Sequence, residues 1–218
     1  MEKPLYPSPY MRITQGYGVG THKNSFAIDD GGSDSGIDFI LAPFTGVIKK
    51  IYPNDANEVW LESVDKVLYP DGTIDYMTML FAHDNDVSNL KVGQVILRGT
   101  RFYEEGTKGN VTGNHVHMEC GKGKFTGSGW HKNESGYWSI NNPKNPVDCL
   151  WIDDSIKVLN SNGYTFKKIE SIKEETKKEE VTDNQNNTST RKIELVFTCK
   201  ENGLYAIELK ENEKLYIE

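Results

Sequence analysis

His115-Val116-His117 puts two imidazoles two residues apart in the stretch HVHME. On a β-strand, residues i and i+2 face the same way, so both rings share one face and Val116 and Met118 take the other. Two imidazoles so placed give either two metal ligands or one ligand beside an acid/base group. A solvated strand face with two polar residues is the plain alternative. Residues 106–114 form a Gly-rich loop before the pair, which lets a substrate come close. His83 ends the apolar run Met79-Leu80-Phe81-Ala82, a position from which a side chain can face a cleft. Its ordinary alternative is a surface or core histidine. His22 precedes Asp29-Asp30-Gly31-Gly32, and a histidine followed by a carboxylate supplies the mixed donors that Zn²⁺ accepts with one position left for water. A loop histidine before an Asp-Asp-Gly turn is the alternative there. His131 is the fifth and last histidine.

These groups need a scaffold, and the pattern around them is one of short strands. GVIKKIY (46–52), EVWLES (58–63), DYMTMLFAH (75–83), VGQVIL (92–97) and HVHME (115–119) each read as strands. Pro70-Asp71-Gly72 and the Gly-rich stretches 106–109 and 121–129 read as turns. No long amphipathic helix is evident. The expected fold is mainly β, an antiparallel sheet with long loops. Residues 1–169 form this domain. Residues 170–190 are polar and charged, with few apolar side chains, and read as a flexible linker, with a solvated helix over 172–180 as an alternative. Residues 191–218 regain β character in IELVFTC, GLYAIEL and KLYIE. Three strands alone make a thin core, so this tail is expected to pack on the main domain or on copies of itself.

The 218 residues are 36% hydrophobic and 26% charged, which suits a soluble globular domain. A net charge of −7 argues against nucleic acid as a partner. The three cysteines, Cys120, Cys149 and Cys199, are odd in number and widely spaced, so they form neither a disulfide framework nor a zinc ribbon. Cys120 lies three residues after His117. It reads as a ligand or as a small buried hydrophobe on a strand. The Pro/Tyr-rich start has no basic region followed by an apolar one, and no run is long enough to span a membrane. The expectation is synthesis in a cytoplasm, without membrane insertion.

The order of the motifs carries a resemblance. It runs from Gln15-Gly16-Tyr17-Gly18 through His22, Asp29, Ala42-Pro43-Phe44-Thr45-Gly46-Val47-Ile48 and Phe81-Ala82-His83. It continues through Val92-Gly93-Gln94-Val95-Ile96 to Thr112-Gly113-Asn114-His115-Val116-His117-Met118-Glu119. This series resembles the lysostaphin-type zinc endopeptidases of family M23, which cut bacterial peptidoglycan. It covers roughly residues 11–119, and 112–119 is its most specific part. The resemblance implies zinc held by His22, Asp29 and His117, with water in the fourth position, and His83 and His115 as the acid/base pair. Glu119 then orients a histidine from behind, or faces solvent. Such a protein acts on peptidoglycan as a phage or prophage lysin, reaching the wall after release from the host cytoplasm, or as a tail component. The C-terminal tail is then a wall-binding or self-associating appendage.

The chain departs from the family at one point. The usual spacing is His-x-x-x-Asp, but six residues separate His22 from Asp29, and Ser25 stands where the histidine would fall. Asp30 and Asp38 are rival carboxylates. The departure also motivates a second reading, a family member that kept the scaffold and lost zinc, serving as a binding or structural module. Cupins share His-x-His strands, but their further Glu and His are not found. Tyr17, Tyr52, Trp60, Tyr103, Trp130, Tyr137 and Trp138 serve mostly as packing, with one or two of those in 130–138 reaching the cleft. Glycine bridges, D-alanyl–diaminopimelate links and other stem-peptide bonds all stay open as the bond cut.

Overall fold

Val116–Lys122 shows how the scaffold sorts its side chains. Val116, Met118 and Cys120 enter the main core, while His117 and Glu119 take the opposite face. The computed structural model, which describes residues 1–53 and 55–170, repeats this alternation in the neighbouring strands. Met77, Met79 and Phe81 of Met77–Ala82 and Val59 and Leu61 of Glu58–Ser63 face the same core. Each such side chain contributes about 1.5–3 kcal/mol through burial. Trp60 and Leu80 point the other way and form a small second core with Ile140.

These strands belong to one nine-stranded sheet. Its order is Lys157–Asn160, Tyr10–Gln15, Ile28–Asp30, Val116–Lys122, Met77–Ala82, Glu58–Ser63, Gly46–Tyr52 and Val95–Ile96, with Pro143–Lys144 also paired to Val116–Lys122. All pairs are antiparallel except Tyr10–Gln15 with Lys157–Asn160. The protein is mainly β, as its strand and turn pattern predicts. Among the described residues the helices are two short 3-10 turns, Gly20–His22 and Pro146–Asp148. None is long and apolar enough to cross a membrane. The described residues fall within one compact unit. The tail and all but the first residue of the expected linker lie outside the described residues.

Strands 46–52 and 58–63 match their predicted bounds. The predicted strand 75–83 is instead divided into Ile74–Asp75 and Met77–Ala82, and His83 leaves the sheet at φ +89°. The run 92–97 contributes Val95–Ile96 alone, because Gly93 takes φ +87° in a turn. His115 precedes its strand and pairs with Gly106 in an isolated bridge. Cys120 is buried on the core face, the hydrophobic role, and Cys149 is likewise buried and free.

Candidate metal centre

The sheet register assembles the site. His117 lies opposite Asp29 on one side and Ala82 on the other. Ala82 is followed by His83, so three of the predicted residues meet at one end of adjacent strands. His117 Nδ1 lies 3.0 Å from Asp29 Oδ1. His22 Nε2 is 3.3 Å and His115 Nε2 3.7 Å from the same oxygen. The His83 ring centroid is 4.7 Å from that of His115 and 5.8 Å from that of His117.

The six-residue gap after His22 is taken up locally. The 3-10 turn Gly20–His22 is closed by bonds from the Gly18 and Ser25 amides to the His22 carbonyl, at 3.1 and 2.9 Å. Asn24 adopts φ +59°, reversing the chain toward Asp29. The long spacing therefore still delivers His22, and Ser25 only lines the cleft. The rivals to Asp29 point elsewhere. Asp30, on the opposite face of its strand, is fully buried and accepts bonds from Tyr6 Oη at 2.5 Å, Arg12 N at 3.1 Å and Gly32 N at 2.9 Å. Asp38 accepts from the Ser33 amide at 2.5 Å. Neither reaches the histidines within the donor group His22, Asp29 and His117.

Backbone carbonyls set the histidine tautomers. A carbonyl can only accept, so Nδ1–H of His22 donates to Gly16 (3.1 Å), that of His83 to Lys108 (2.8 Å) and that of His115 to Gly113 (2.9 Å). In the neutral rings, each Nε2 keeps its lone pair. His117 is held in the opposite sense, since its Nε2 donates to Glu119 Oε1 at 3.2 Å. Glu119 is buried, and its other oxygen accepts from Ser139 Oγ at 2.6 Å and Ile140 N at 2.9 Å. With Nε2–H committed to Glu119, Nδ1 of His117 is the nitrogen left to face Asp29.

A lone pair of His22 Nε2, an Asp29 oxygen and His117 Nδ1 thus converge, their donor atoms within 4.8 Å of one another. Three acceptors facing one point repel unless a proton or a cation lies between them. The set of two nitrogens and one oxygen fits a zinc ion with an open position. The protonation balance agrees. Burial alone would push Asp29 up and His117 down. Their mutual hydrogen bond and charges reverse both, holding Asp29 far below the carboxylate range and lifting His117 to about 10. Burial and the charge of His117 depress His83 to about 4, so at neutral pH it is an uncharged imidazole. A cation entering this site displaces the His117 proton.

Glu119 acts through His117, so its loss should show first in the metal. Glu119→Ala is expected to weaken zinc binding by about 10- to 100-fold with the fold intact. Competition against a chromophoric chelator measures this, and an unchanged affinity would show that Glu119 does not orient its neighbour.

The cleft beside these residues is lined by Thr21, Ser25, Glu58, Leu80, Trp130, Tyr137, Trp138 and Ser139 as well as His22, His83 and His117. Three aromatics of the 130–138 segment therefore reach it, one more than anticipated. Trp60 and Tyr103 are core, and Tyr17 borders a separate groove that also contains His131. Glu58 was not singled out from its sequence. Burial pushes its carboxyl up to about 7 against the nearby charges of His117 and Lys50. Its alternation with Val59 and Leu61 was a signal that it leaves the core face, but only the pairing with Met77–Ala82 shows what it faces.

No family model matches the chain. A curated relative, Morphogenesis protein 1 of Bacillus phage B103, is 25% identical over 164 residues, covering 74% of this chain and 43% of its own. The chain thus spans less than half of that relative. Similar solved structures include a zinc-containing peptidase from Vibrio cholerae, at 19% identity and a TM-score of 0.42, covering 56% of this chain and 37% of that one. The catalytic domain of the prophage-encoded M23 protein EnpA from Enterococcus faecalis matches at 21% and 0.41, covering 56% and 88%. The catalytic domain of lysostaphin from Staphylococcus simulans matches at 18% and 0.37, covering 53% and 80%.

Proposed function

We propose that this chain is a zinc-dependent endopeptidase that hydrolyses peptide bonds of bacterial peptidoglycan, in the stem peptide or the cross-bridge, as a phage or prophage cell-wall lysin. One observation carries the reading: three ligand atoms of His22, Asp29 and His117 converge beside two further imidazoles with outward lone pairs. Zinc, when bound by those three residues, supplies Lewis acidity toward the scissile carbonyl. His83, uncharged and tied at Nδ1, accepts a proton at Nε2 from the attacking water. His115 presents Nε2 to the same space and, on receiving that proton from the neighbouring His83 ring, delivers it to the leaving amine, which returns both rings to their starting form. The carbonyls of Lys108 and Gly113 hold both rings in position, which spares the reaction their reorientation.

Peptidoglycan as substrate rests on the motif order from Gln15 to Glu119. The phage assignment is supported by the phage relative, and action on the wall after release from the host cytoplasm is part of the same proposal. The acidic composition supports a partner other than nucleic acid. The tail, residues 191–218, serves as a wall-binding or self-associating appendage.

Digestion of purified cell walls tests the function. Zinc-loaded protein should release soluble fragments whose masses show one new amine and one new carboxyl per cut. Chelation should stop release, and added zinc should restore it. Protein that holds one zinc yet yields no fragments from walls of several bacteria would instead be a binding or structural module.

A further inference from the structure

One carboxylate oxygen in the cleft accepts no hydrogen bond. Glu58 Oε2 is shut off from solvent and without a donor, although its residue lines the same cleft as His22, His83 and His117. The other carboxylate there, Glu119, has both oxygens engaged. The nearby ammonium is occupied elsewhere: Lys50 Nζ donates to the Ser128 carbonyl at 2.7 Å and lies 3.8 Å from the Trp130 ring centroid. A desolvated acceptor selects a hydrogen-bond donor, and a carboxylate selects a charged one most strongly.

The surrounding walls favour the same occupant. Trp130 and Trp138 line the cleft with Glu58, their ring centroids 5.8 Å apart. Trp138 is 59% exposed, so its ring is open to an incoming group. Indole faces attract cations, as Lys50 over Trp130 already illustrates. Burial pushes the Glu58 carboxyl up, and a seated ammonium would return it to its ionised form.

We propose that Glu58, together with the aromatic wall of Trp130 and Trp138, forms a subsite for a positively charged amine of the peptide substrate, close to the bond that is cut. This rests on the peptidase reading for the identity of the ligand as a peptide. The amine is a side-chain amine, since it must reach a carboxylate set back in the cleft wall.

Binding, rather than turnover, tests the subsite. Calorimetry on the zinc-loaded full chain would compare a stem peptide carrying a free side-chain amine with the same peptide acetylated at that amine. Wild type should bind the free amine at least tenfold more tightly, and Glu58→Gln should bind the two alike within twofold. Equal affinities in wild type, no measurable binding of either peptide, or a preference that survives in Glu58→Gln would overturn the proposal. Hydrolysis is scored separately. A clear amine preference without any cleavage leaves the subsite standing and removes the peptidase reading, while cleavage of both peptides without preference does the reverse.

Discussion

Alanine at His117 will empty the metal site and abolish hydrolysis, whereas alanine at His115 will leave one zinc bound and still cost about 10²–10⁴ in rate. The two histidines share a strand end but differ in what holds them. His117 is the ring whose Nε2–H is fixed by a buried carboxylate, which leaves Nδ1 for the cluster at 3.0 Å from Asp29. The His115 ring is held through the Gly113 carbonyl, and its Nε2 stands farther off, at 3.7 Å. Elemental analysis of purified variants, beside a wall-lysis assay, reads both arms. If His115→Ala also loses its zinc, both are ligands and the division of labour is wrong. The same site predicts a pH dependence. His117 titrates near 10 in the metal-free protein, so near neutral pH it is protonated and zinc binding must release that proton. Apparent zinc affinity should therefore fall as pH is lowered, and calorimetry in buffers of different ionisation enthalpy should report the proton released.

A single methyl group at position 106 will be as damaging as many losses from the core. A Cβ built on Gly106 would lie 2.2 Å from the His83 carbonyl oxygen and 2.9 Å from the Asn85 amide nitrogen, all of it backbone. Neither neighbour can yield freely. His83 is held at φ +89°, with its amide bonded to the Ala56 carbonyl at 2.7 Å and its carbonyl receiving the Lys108 amide at 3.1 Å. Gly106 itself exchanges two backbone bonds with His115, at 3.1 and 3.2 Å. Gly106→Ala must therefore push apart the segments that carry both proposed acid/base residues. The expected cost is about 1–3 kcal/mol of stability, with at least a tenfold loss of rate in the fraction that remains folded. Urea unfolding and turnover at saturating zinc measure these separately. Retention of wild-type stability and rate would show that this contact relaxes without disturbing His83.

Much of this site was legible because its chemistry sits in strands with a simple period. Val116, Met118 and Cys120 had to face a core, so His117 and Glu119 had to face away from it. Bounds were clear where apolar residues alternate, as in 46–52 and 58–63. They failed where a backbone turn intervened, at His83 and Gly93, since positive φ at a histidine leaves no mark in hydrophobic pattern. Asp29 could not be separated from Asp30 and Asp38 by residue type. The choice depends on which face of a three-residue strand each side chain takes and on its register with His117. Glu58 was hidden for a related reason. A polar residue at a strand start is ordinary until the strand beside it brings His83 into the same cleft.

The one parallel pairing in the main sheet bears on how the molecule comes to exist. Tyr10–Gln15 runs beside Lys157–Asn160, and Leu5 is bridged to Trp151, so the earliest and latest parts of the described unit lie against each other. Tyr10–Gln15 also pairs with Ile28–Asp30, the strand that presents Asp29. Contacts between residues so far apart in sequence are slow to form. During synthesis the ribosome must deliver about 150 residues before that first strand gains its second neighbour. The acquisition of an ordered Asp29 is thus tied to a strand synthesised long after it, and a nascent chain stalled before residue 157 would carry every proposed zinc ligand with its sheet unfinished.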